Sequence, residues 1–174
     1  MQQNYQYFVE GKTEEKIVGV LKTIFQVISP GKVRVFNVIE REISKDMVLP
    51  LRRNTNVVLV FDTDTNNSSM LCKNIDFLKN QSMVKRVICI PQVKNLEEEI
   101  LRSCNIREIK ELLSSKSNSD FKNDLCRSNY LNIALQKHGF IIDRFWSSLP
   151  SGEFSCIPND SKMIKLKAPI KRSK

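Results

Sequence analysis

Hydrophobic positions along the chain form strand-like runs that alternate with helix-like periodicity. Residues 5–9, 57–61 and 84–90 are short, mainly apolar runs, and 57–61 is apolar at every position. Such runs are typical of strands buried on both faces of a parallel sheet. Apolar residues recur at helical spacing between 17 and 25. Similar spacing predicts further helices at 71–78, 96–104 and 106–113, together with a helical turn near 40–43.

The rest of the pattern is weaker but still interpretable. Residues 32–38 alternate basic and apolar side chains, which indicates a more exposed strand. A single helix is predicted over Phe121 to His138, where Gly139 stops it, and 140–146 is predicted to be a last extended segment. Thr13 is expected to cap the first helix and Pro91 to end the 84–90 strand.

Strands that alternate with helices predict a parallel sheet with right-handed crossovers. We therefore expect an α/β fold with a Rossmann-like, open and mainly parallel sheet flanked by helices, followed by a helical C-terminal extension. The expected parts are an α/β core over 1–115, an extension over 116–160 packed on that core, and a basic tail over 161–174.

The charge balance favours a polyanionic partner. The 174 residues contain 28 Lys and Arg against 19 Asp and Glu, for a formal charge of +9, and nucleic acid is the partner that such a balance favours. A Lys-rich solvated surface would give the same balance. The basic residues that we expect to contact nucleic acid are Lys12, Lys162, Lys165, Lys167, Lys171 and Arg172.

Cysteine usage and hydropathy indicate a cytoplasmic protein without a membrane span. Five cysteines occur without C-x-x-C spacing, the first residues are polar, and no apolar run approaches the roughly 18 residues that a membrane helix needs. We therefore expect reduced thiols. A zinc site is not expected either, since the only histidine is His138.

Carboxylates follow two of the predicted strands directly. Glu10 follows the first strand, and Asp62 and Asp64 follow the 57–61 strand. Ligands of open parallel sheets bind at the carboxyl ends of the strands, so these three acids are expected at one edge. Clustered acids repel one another unless a cation lies among them. Oxygen ligands of this kind suit Mg²⁺ or Mn²⁺.

Two other motifs that contain Asp-x-Asp do not match the residues after Asp64, and one further interpretation of the Asp62-x-Asp64 pair stays open. An EF-hand loop beginning at Asp62 would need Gly at 67 and Glu at 73, where this chain has Asn67 and Lys73. A phosphatase-type D-x-D-x-T would need Thr where Asn66 stands. A turn without any ligand stays open, because Asp is common in turns.

Further candidates surround these acids. Glu14 lies one helical turn beyond Glu10 and can face the same cleft, or it can simply begin a helix that favours acids in its first turn. Lys94 follows the 84–90 strand and could stabilise charge on a reacting phosphate. Glu97 and Glu98 could join the metal site, and they too are acids in a predicted first helical turn.

The aromatic residues near the C-terminal end have two possible roles. Phe121, Phe145 and Trp146 lie near Lys137 and Arg144 and could stack on bases. Aromatics beside an amphipathic helix are more often part of the core, and we favour that role.

A strand that ends in Glu-Gly-x-Thr-Glu, followed about fifty residues later by one that ends in Asp-x-Asp, resembles the Toprim domain. Topoisomerases, bacterial primases, OLD-family nucleases and small RNA-processing nucleases share that fold. The resemblance covers 5–100. It implies that Glu10 acts as general acid/base or metal ligand and that Asp62 and Asp64 hold Mg²⁺. Glu14 matches a second acid of the OLD-like members, and Lys94 matches a lysine of the nuclease-type members.

The resemblance implies Mg²⁺-dependent hydrolysis of DNA or RNA, with Glu10 and Lys94 as catalytic residues. A topoisomerase would need a tyrosine on a separate gate domain, and a primase would need flanking domains. Bare Toprim proteins resemble effector subunits of defence or repair systems. Such subunits often work beside an ATPase, which would be a separate protein because this chain has no G-x-x-x-x-G-K-[ST] loop. A homo-oligomer is possible, and the alternative function is a non-catalytic module that binds nucleic acid or a partner.

Overall fold

Four parallel strands form the centre of the computed structural model, which describes residues 3–166. The strands are β1 (Asn4–Val9), β2 (Lys32–Val35), β3 (Thr55–Asp62) and β4 (Val84–Gln92). The helices are α1 (Lys12–Thr23), α2 (Lys45–Val48), α3 (Ser69–Lys79), α4 (Leu96–Ser103), α5 (Phe121–Arg127) and α6 (Leu131–Lys137), with 3₁₀ turns at Ile109–Leu112, Gly152–Phe154 and Ser161–Met163. The sheet order is β2-β1-β3-β4 and every pairing is parallel. The expected open, Rossmann-like α/β fold is confirmed.

Each face of the sheet carries its own hydrophobic core. All eight residues of β3 are buried, which explains why this strand has no polar face. Val58 and Val60 face a core that includes residues of α1, α4, α5 and α6. Leu59 and Phe61 face the opposite core, where α2 and α3 pack. Since the two cores cover both faces, only the strand ends and the outer edges of the sheet are open to ligands.

The chain beyond residue 115 contributes to both cores. Phe121, Phe145 and Trp146 are fully buried against the first face, and Phe154 lies with its ring centroid 6.0 Å from that of Phe61 on the second. The preference for a core role of these aromatics is confirmed. The boundary proposed at residues 115 and 116 stays a prediction.

Two predictions for the C-terminal part are wrong. The single helix over 121–138 is divided into α5 and α6, because the Ser128 hydroxyl accepts a hydrogen bond from the Tyr130 amide at 3.1 Å and so competes with helical bonding. The segment 140–146 forms turns instead of a strand. Turns allow the adjacent Phe145 and Trp146 both to enter the core, whereas a strand would place them on opposite faces.

Several predicted element ends are also wrong. Gly11, not Thr13, is the N-cap of α1. β4 continues through Pro91 to Gln92, since an edge strand can point the missing N–H of proline away from its neighbour. The region 106–113 contains only a 3₁₀ turn, the turn near 40–43 is not helical, and the exposed strand is limited to β2.

The outer edge of β4 is covered by the C-terminal segment. The Asp160 amide donates to the Cys89 carbonyl at 2.8 Å, and the Asp160 carboxylate accepts from the Cys89 amide at 3.0 Å. This pairing protects an edge that would otherwise be open to other strands. In the described part of the chain, no helix combines the length and the apolar character that crossing a membrane requires.

Candidate functional site

A pocket of about 430 Å³ opens where β1, β2 and β3 end. Four carboxylates and two cationic side chains line it, so its own charge favours a cation. The charged lining residues are Glu10, Glu14, Glu40, Asp62, Arg41 and Lys122. We call this site the acidic pocket.

The turn from β1 into α1 positions two of these acids. Glu10 follows β1 directly, and Glu14 is buried in the first turn of α1. The Thr13 hydroxyl donates to Glu14 Oε2 at 3.0 Å. A Cβ atom on residue 11 would lie 2.9 Å from the same oxygen. Gly11 therefore leaves the space in which the Glu14 carboxylate lies.

Asp62 is the last residue of β3, and its side chain is 9% exposed. Its amide donates to Glu10 Oε2 at 3.2 Å, which links the ends of the two strands. Among residues 3–166, Asp62 Oδ1 is buried and finds no hydrogen-bond partner. The β3 strand thus ends in a carboxylate oxygen that has lost its water and gained no hydrogen bond in exchange. This is unfavourable unless a ligand supplies the missing partner.

Burial and neighbouring charges change the ionisation of both strand-end acids. Burial, together with the charges of Glu10, Glu14 and other nearby acids, raises the pKa of Asp62 to about 9. Burial also raises the pKa of Glu10, although the hydrogen bond from the Asp62 amide opposes this. Without a cation, Asp62 is therefore protonated at neutral pH. A divalent cation would favour its charged form.

Gln92 lies beside Asp62 in the sheet and is not among the site residues that the sequence predicts. The two are register partners at the ends of β3 and β4. The Gln92 side chain is fully buried, and neither of its amide atoms has a hydrogen-bond partner within the described residues. A buried amide without partners is rare in proteins. The sheet therefore places a second unpartnered polar side chain next to Asp62.

Asp64 and Lys94 lie at the same edge but outside the lining of the acidic pocket. Asp64 is exposed on the loop after β3, and its charge contributes to the raised pKa of Glu10 and of Asp62. Lys94 has an exposed side chain and a left-handed backbone with φ of 40°. Its carbonyl accepts from the Thr63 amide at 2.8 Å. That bond joins the loops that follow β3 and β4.

Lys122 of α5 supplies a cation from outside the strand ends. Its Nζ lies 3.1 Å from Glu97 Oε1. Burial lowers the pKa of Lys122, but the bond to Glu97 and the charges of Asp62 and Glu14 outweigh it, so the pKa is raised. Glu98 turns instead toward Arg102, 4.0 Å away. Of the two glutamates considered for the metal site, only Glu97 interacts with a side chain of the pocket.

The sequence contained a signal for some of the missed residues. Asn37, Glu40 and Arg41 follow β2, whose carboxyl end meets the same edge, so the strand-end argument used for the other strands would have found them. Lys122 had no such signal, because it reaches the pocket only through the packing of α5 on α1.

The donor chemistry fits a hard cation, but the side chains are not arranged as a closed metal site. Within the described residues, no group of three or more His, Cys, Asp or Glu side chains is placed to hold a metal ion. Glu10 is directed to the Asp62 amide, and Asp64 lies outside the pocket. Carboxylate oxygens, one of them buried and unpartnered, are nevertheless the ligand type that Mg²⁺ and Mn²⁺ prefer.

The basic residues expected to contact nucleic acid are dispersed. Lys12 is exposed and pairs with Glu15 at 2.8 Å. Lys165 is half-buried, donates to the Phe145 carbonyl and forms a bridge with Ile28 before β2. It therefore lies toward the amino ends of the strands, away from the acidic pocket. Lys162 is exposed in the last 3₁₀ turn, and the predicted contacts Lys167, Lys171 and Arg172 lie outside the described residues.

The chain matches no known family model, no curated protein and no solved structure. The Toprim resemblance accordingly rests on the two motifs alone, those at 10–14 and 62–64.

Proposed function

We propose that this chain is a Toprim-like nuclease that hydrolyses phosphodiester bonds of DNA or RNA with Mg²⁺ or Mn²⁺. One observation carries the proposal: Glu10, Glu14 and Asp62 line one pocket at the carboxyl edge of a parallel sheet, and Asp62 Oδ1 is buried there without a partner. This edge is where open parallel sheets bind ligands. A divalent cation would supply the missing partner and favour the ionised acids.

Six charged residues in or beside the acidic pocket have roles in this proposal. Glu10, Asp62 and Asp64 would hold the cation, and Glu14 would be a further ligand. An ion held there would supply an activated water and neutralise charge on the phosphate. Glu10, with its raised pKa, is suited to accept a proton from the attacking water. Lys122 stabilises negative charge on the phosphate from within the pocket, and Lys94 is a candidate for the same role at its edge.

A non-catalytic module is the second candidate function. It is favoured by the absence, within residues 3–166, of three acidic or other ligating side chains already placed around one ion. Such a module would bind nucleic acid or a partner subunit through the same edge. In either case we propose that the chain acts in the cytoplasm, as its cysteine usage indicates. We also propose that it works beside a separate ATPase subunit, as the Toprim resemblance implies, and that it can form homo-oligomers.

Cleavage assays separate these two functions. The full chain is incubated with plasmid DNA and with structured RNA in Mg²⁺, Mn²⁺ or EDTA. We expect cleavage that requires the metal and that falls by at least about 100-fold in Asp62→Asn. Asp76→Asn, which changes an exposed acid of α3 by the same charge, serves as the matched control and keeps its activity.

Two other outcomes of these assays would count against the nuclease proposal. Undiminished cleavage by Asp62→Asn would exclude the metal assignment. Failure to cut any substrate, with salt-sensitive binding of nucleic acid intact, would favour the non-catalytic module.

A further inference from the structure

A second pocket, of about 450 Å³, lies at the amino ends of β1, β2 and β3. Three cationic side chains line it, those of Lys32, Arg34 and Arg52, and none of its described lining residues is a carboxylate. It therefore has the opposite charge to the acidic pocket. A pocket whose charged lining residues are all cations favours an anionic ligand.

The cations follow the free edge of the sheet. β2 is an edge strand, and Lys32 and Arg34 are two positions apart on it, so they project from the same face. Their spacing along the strand is about 6.6 Å, which is close to the separation of successive phosphates in an extended nucleic-acid strand. The edge thus presents charges at a repeat that one polynucleotide strand can match.

The line of charge continues to the acidic pocket. The Phe36 amide donates to the Val9 carbonyl at 2.7 Å, so Phe36 extends β2 in the same register. The Arg41 guanidinium lies over the Phe36 ring, 4.8 Å from its centroid, and Arg41 lines the acidic pocket. We call Arg52, Lys32, Arg34 and Arg41 the basic strip.

The charges of the basic strip are available to a partner. All four side chains are exposed. Between residues 3 and 166, the ion pairs within 4.0 Å involve Lys12, Arg102, Lys110 and Lys122, and none involves a cation of the strip. Aligned cations without partners create a positive potential that attracts a polyanion.

We propose that the basic strip binds the phosphate backbone of single-stranded nucleic acid and leads that strand into the acidic pocket. The distance from Lys32 to Phe36, about 13 Å, spans about three phosphates. Leu51 is partly exposed, lines the same pocket as the cations and offers apolar surface to an unpaired base. The binding surface stands by itself, whereas delivery of the strand for cleavage rests on the proposed function.

Binding is tested without cleavage. Fluorescence anisotropy measures the affinity of the full chain for labelled 12-nucleotide DNA and RNA single strands in EDTA over a range of salt. The test variant is K32Q/R34Q/R52Q. The matched control, K73Q/K79Q/K85Q, removes three exposed lysines of α3 and β4, toward the edge of the sheet opposite to β2.

We expect the strip variant to bind both strands at least about 10-fold more weakly and to reduce the salt slope by about 2, since each lost phosphate contact on a single strand contributes about 0.7. The control should change affinity by less than about 3-fold. Equal weakening by the two variants would show that only net charge matters and would overturn the proposal. A loss confined to DNA or to RNA would place recognition in the sugar or base and would overturn it too.

Two further measurements separate loss of nucleic-acid binding from loss of stability and from binding to a membrane surface. If the triple variant melts at a lower temperature, Arg34→Gln alone must still weaken binding and reduce the salt slope by about 0.7. Binding to phosphatidylserine vesicles that depends on the strip, without such binding to oligonucleotides, would overturn the nucleic-acid proposal. Failure of the catalytic proposal alone would appear as strand binding that depends on the basic strip, without metal-dependent cleavage by the wild type.

Discussion

Asp62 combines deep burial with a position at the end of a strand. It closes the most completely buried strand of the sheet, and its Oδ1 has no donor within the described chain. A carboxylate in that position opposes folding unless it is protonated or bound by a cation. Buried polar groups that lack a hydrogen-bond partner are characteristic of functional sites.

The raised pKa of Asp62 predicts how stability depends on pH. With a pKa of about 9 against an ordinary value of 3.8, the folded state binds a proton that the unfolded state releases between these pH values. The Asp62 contribution to the free energy of unfolding therefore falls as pH rises from about 4 to about 9, by at most about 1.4 kcal/mol per pH unit.

Urea unfolding in EDTA at pH 5 to 9 measures this dependence. Asp62→Asn should remove the decline that Asp62 causes and be more stable than the wild type at pH 8, whereas the exposed Asp76→Asn should keep the wild-type slope. An unchanged slope in Asp62→Asn would contradict the assignment of a raised pKa to this residue.

At the residue scale, the sequence indicated three of the four acids of the pocket but not their surroundings. Glu10, Glu14 and Asp62 could be predicted because strand ends meet at one edge of a parallel sheet. Gln92 and Lys122 could not, since their positions depend on strand register and on how α5 packs. The hydrophobic periodicity of the sequence predicts neither the strand register nor the packing of α5.

Among the elements, the start of α4 shows how similar residues acquire different roles. Glu99 is fully buried, and its Oε1 accepts from the Val93 amide at 2.9 Å and pairs with Arg102 at 2.6 Å. Its Oε2 accepts from the Trp146 amide at 2.8 Å. Glu99 therefore joins the loop after β4 to the turn that buries the C-terminal aromatics.

Truncation of this buried carboxylate should be strongly destabilising. Glu99→Ala leaves three donors without their acceptor, and we expect a loss of about 3–5 kcal/mol in the free energy of unfolding. The neighbouring Glu98→Ala removes a half-exposed acid of the same helix and should cost less than about 1 kcal/mol. Urea denaturation of both variants checks this, and similar losses for the two would be incompatible with a structural role of Glu99.

Element types could be predicted better than element ends. Hydrophobic periodicity correctly indicated the helices at α1, α3 and α4 and all four strands. The ends depended on details that periodicity does not contain. The Ser128 hydroxyl interrupts the long C-terminal helix, and the outward-facing nitrogen of Pro91 allows β4 to continue.

At the scale of the whole molecule, the core over 1–115 and the chain that follows it share hydrophobic cores. Leu125, Leu131 and Trp146 are buried in the same cluster as Val58 and Val60. The alternating pattern predicted the α/β class, but it did not contain the strand order or the coverage of β4 by Asp160, because both arise from contacts distant in sequence.

This shared core predicts that residues 1–115 do not fold alone. Removing the rest of the chain exposes the apolar face under α5 and α6 and opens the edge of β4, so we expect no cooperative thermal transition and a poorly dispersed NMR spectrum. A chain of residues 1–166, which retains the described core, should unfold cooperatively. A cooperative transition in the 1–115 fragment would instead show an independent domain.

Binding of Mn²⁺ tests most directly whether the acids at the carboxyl edge form a metal site. Electron paramagnetic resonance measures free Mn²⁺ during titration of the full chain, of Asp62→Asn and of the Asp76→Asn control, without nucleic acid. We predict saturable binding by the wild type and the control at pH 8, and at least about 10-fold weaker binding by Asp62→Asn. Absence of binding by the wild type, or equal binding by all three proteins, would contradict the proposed site.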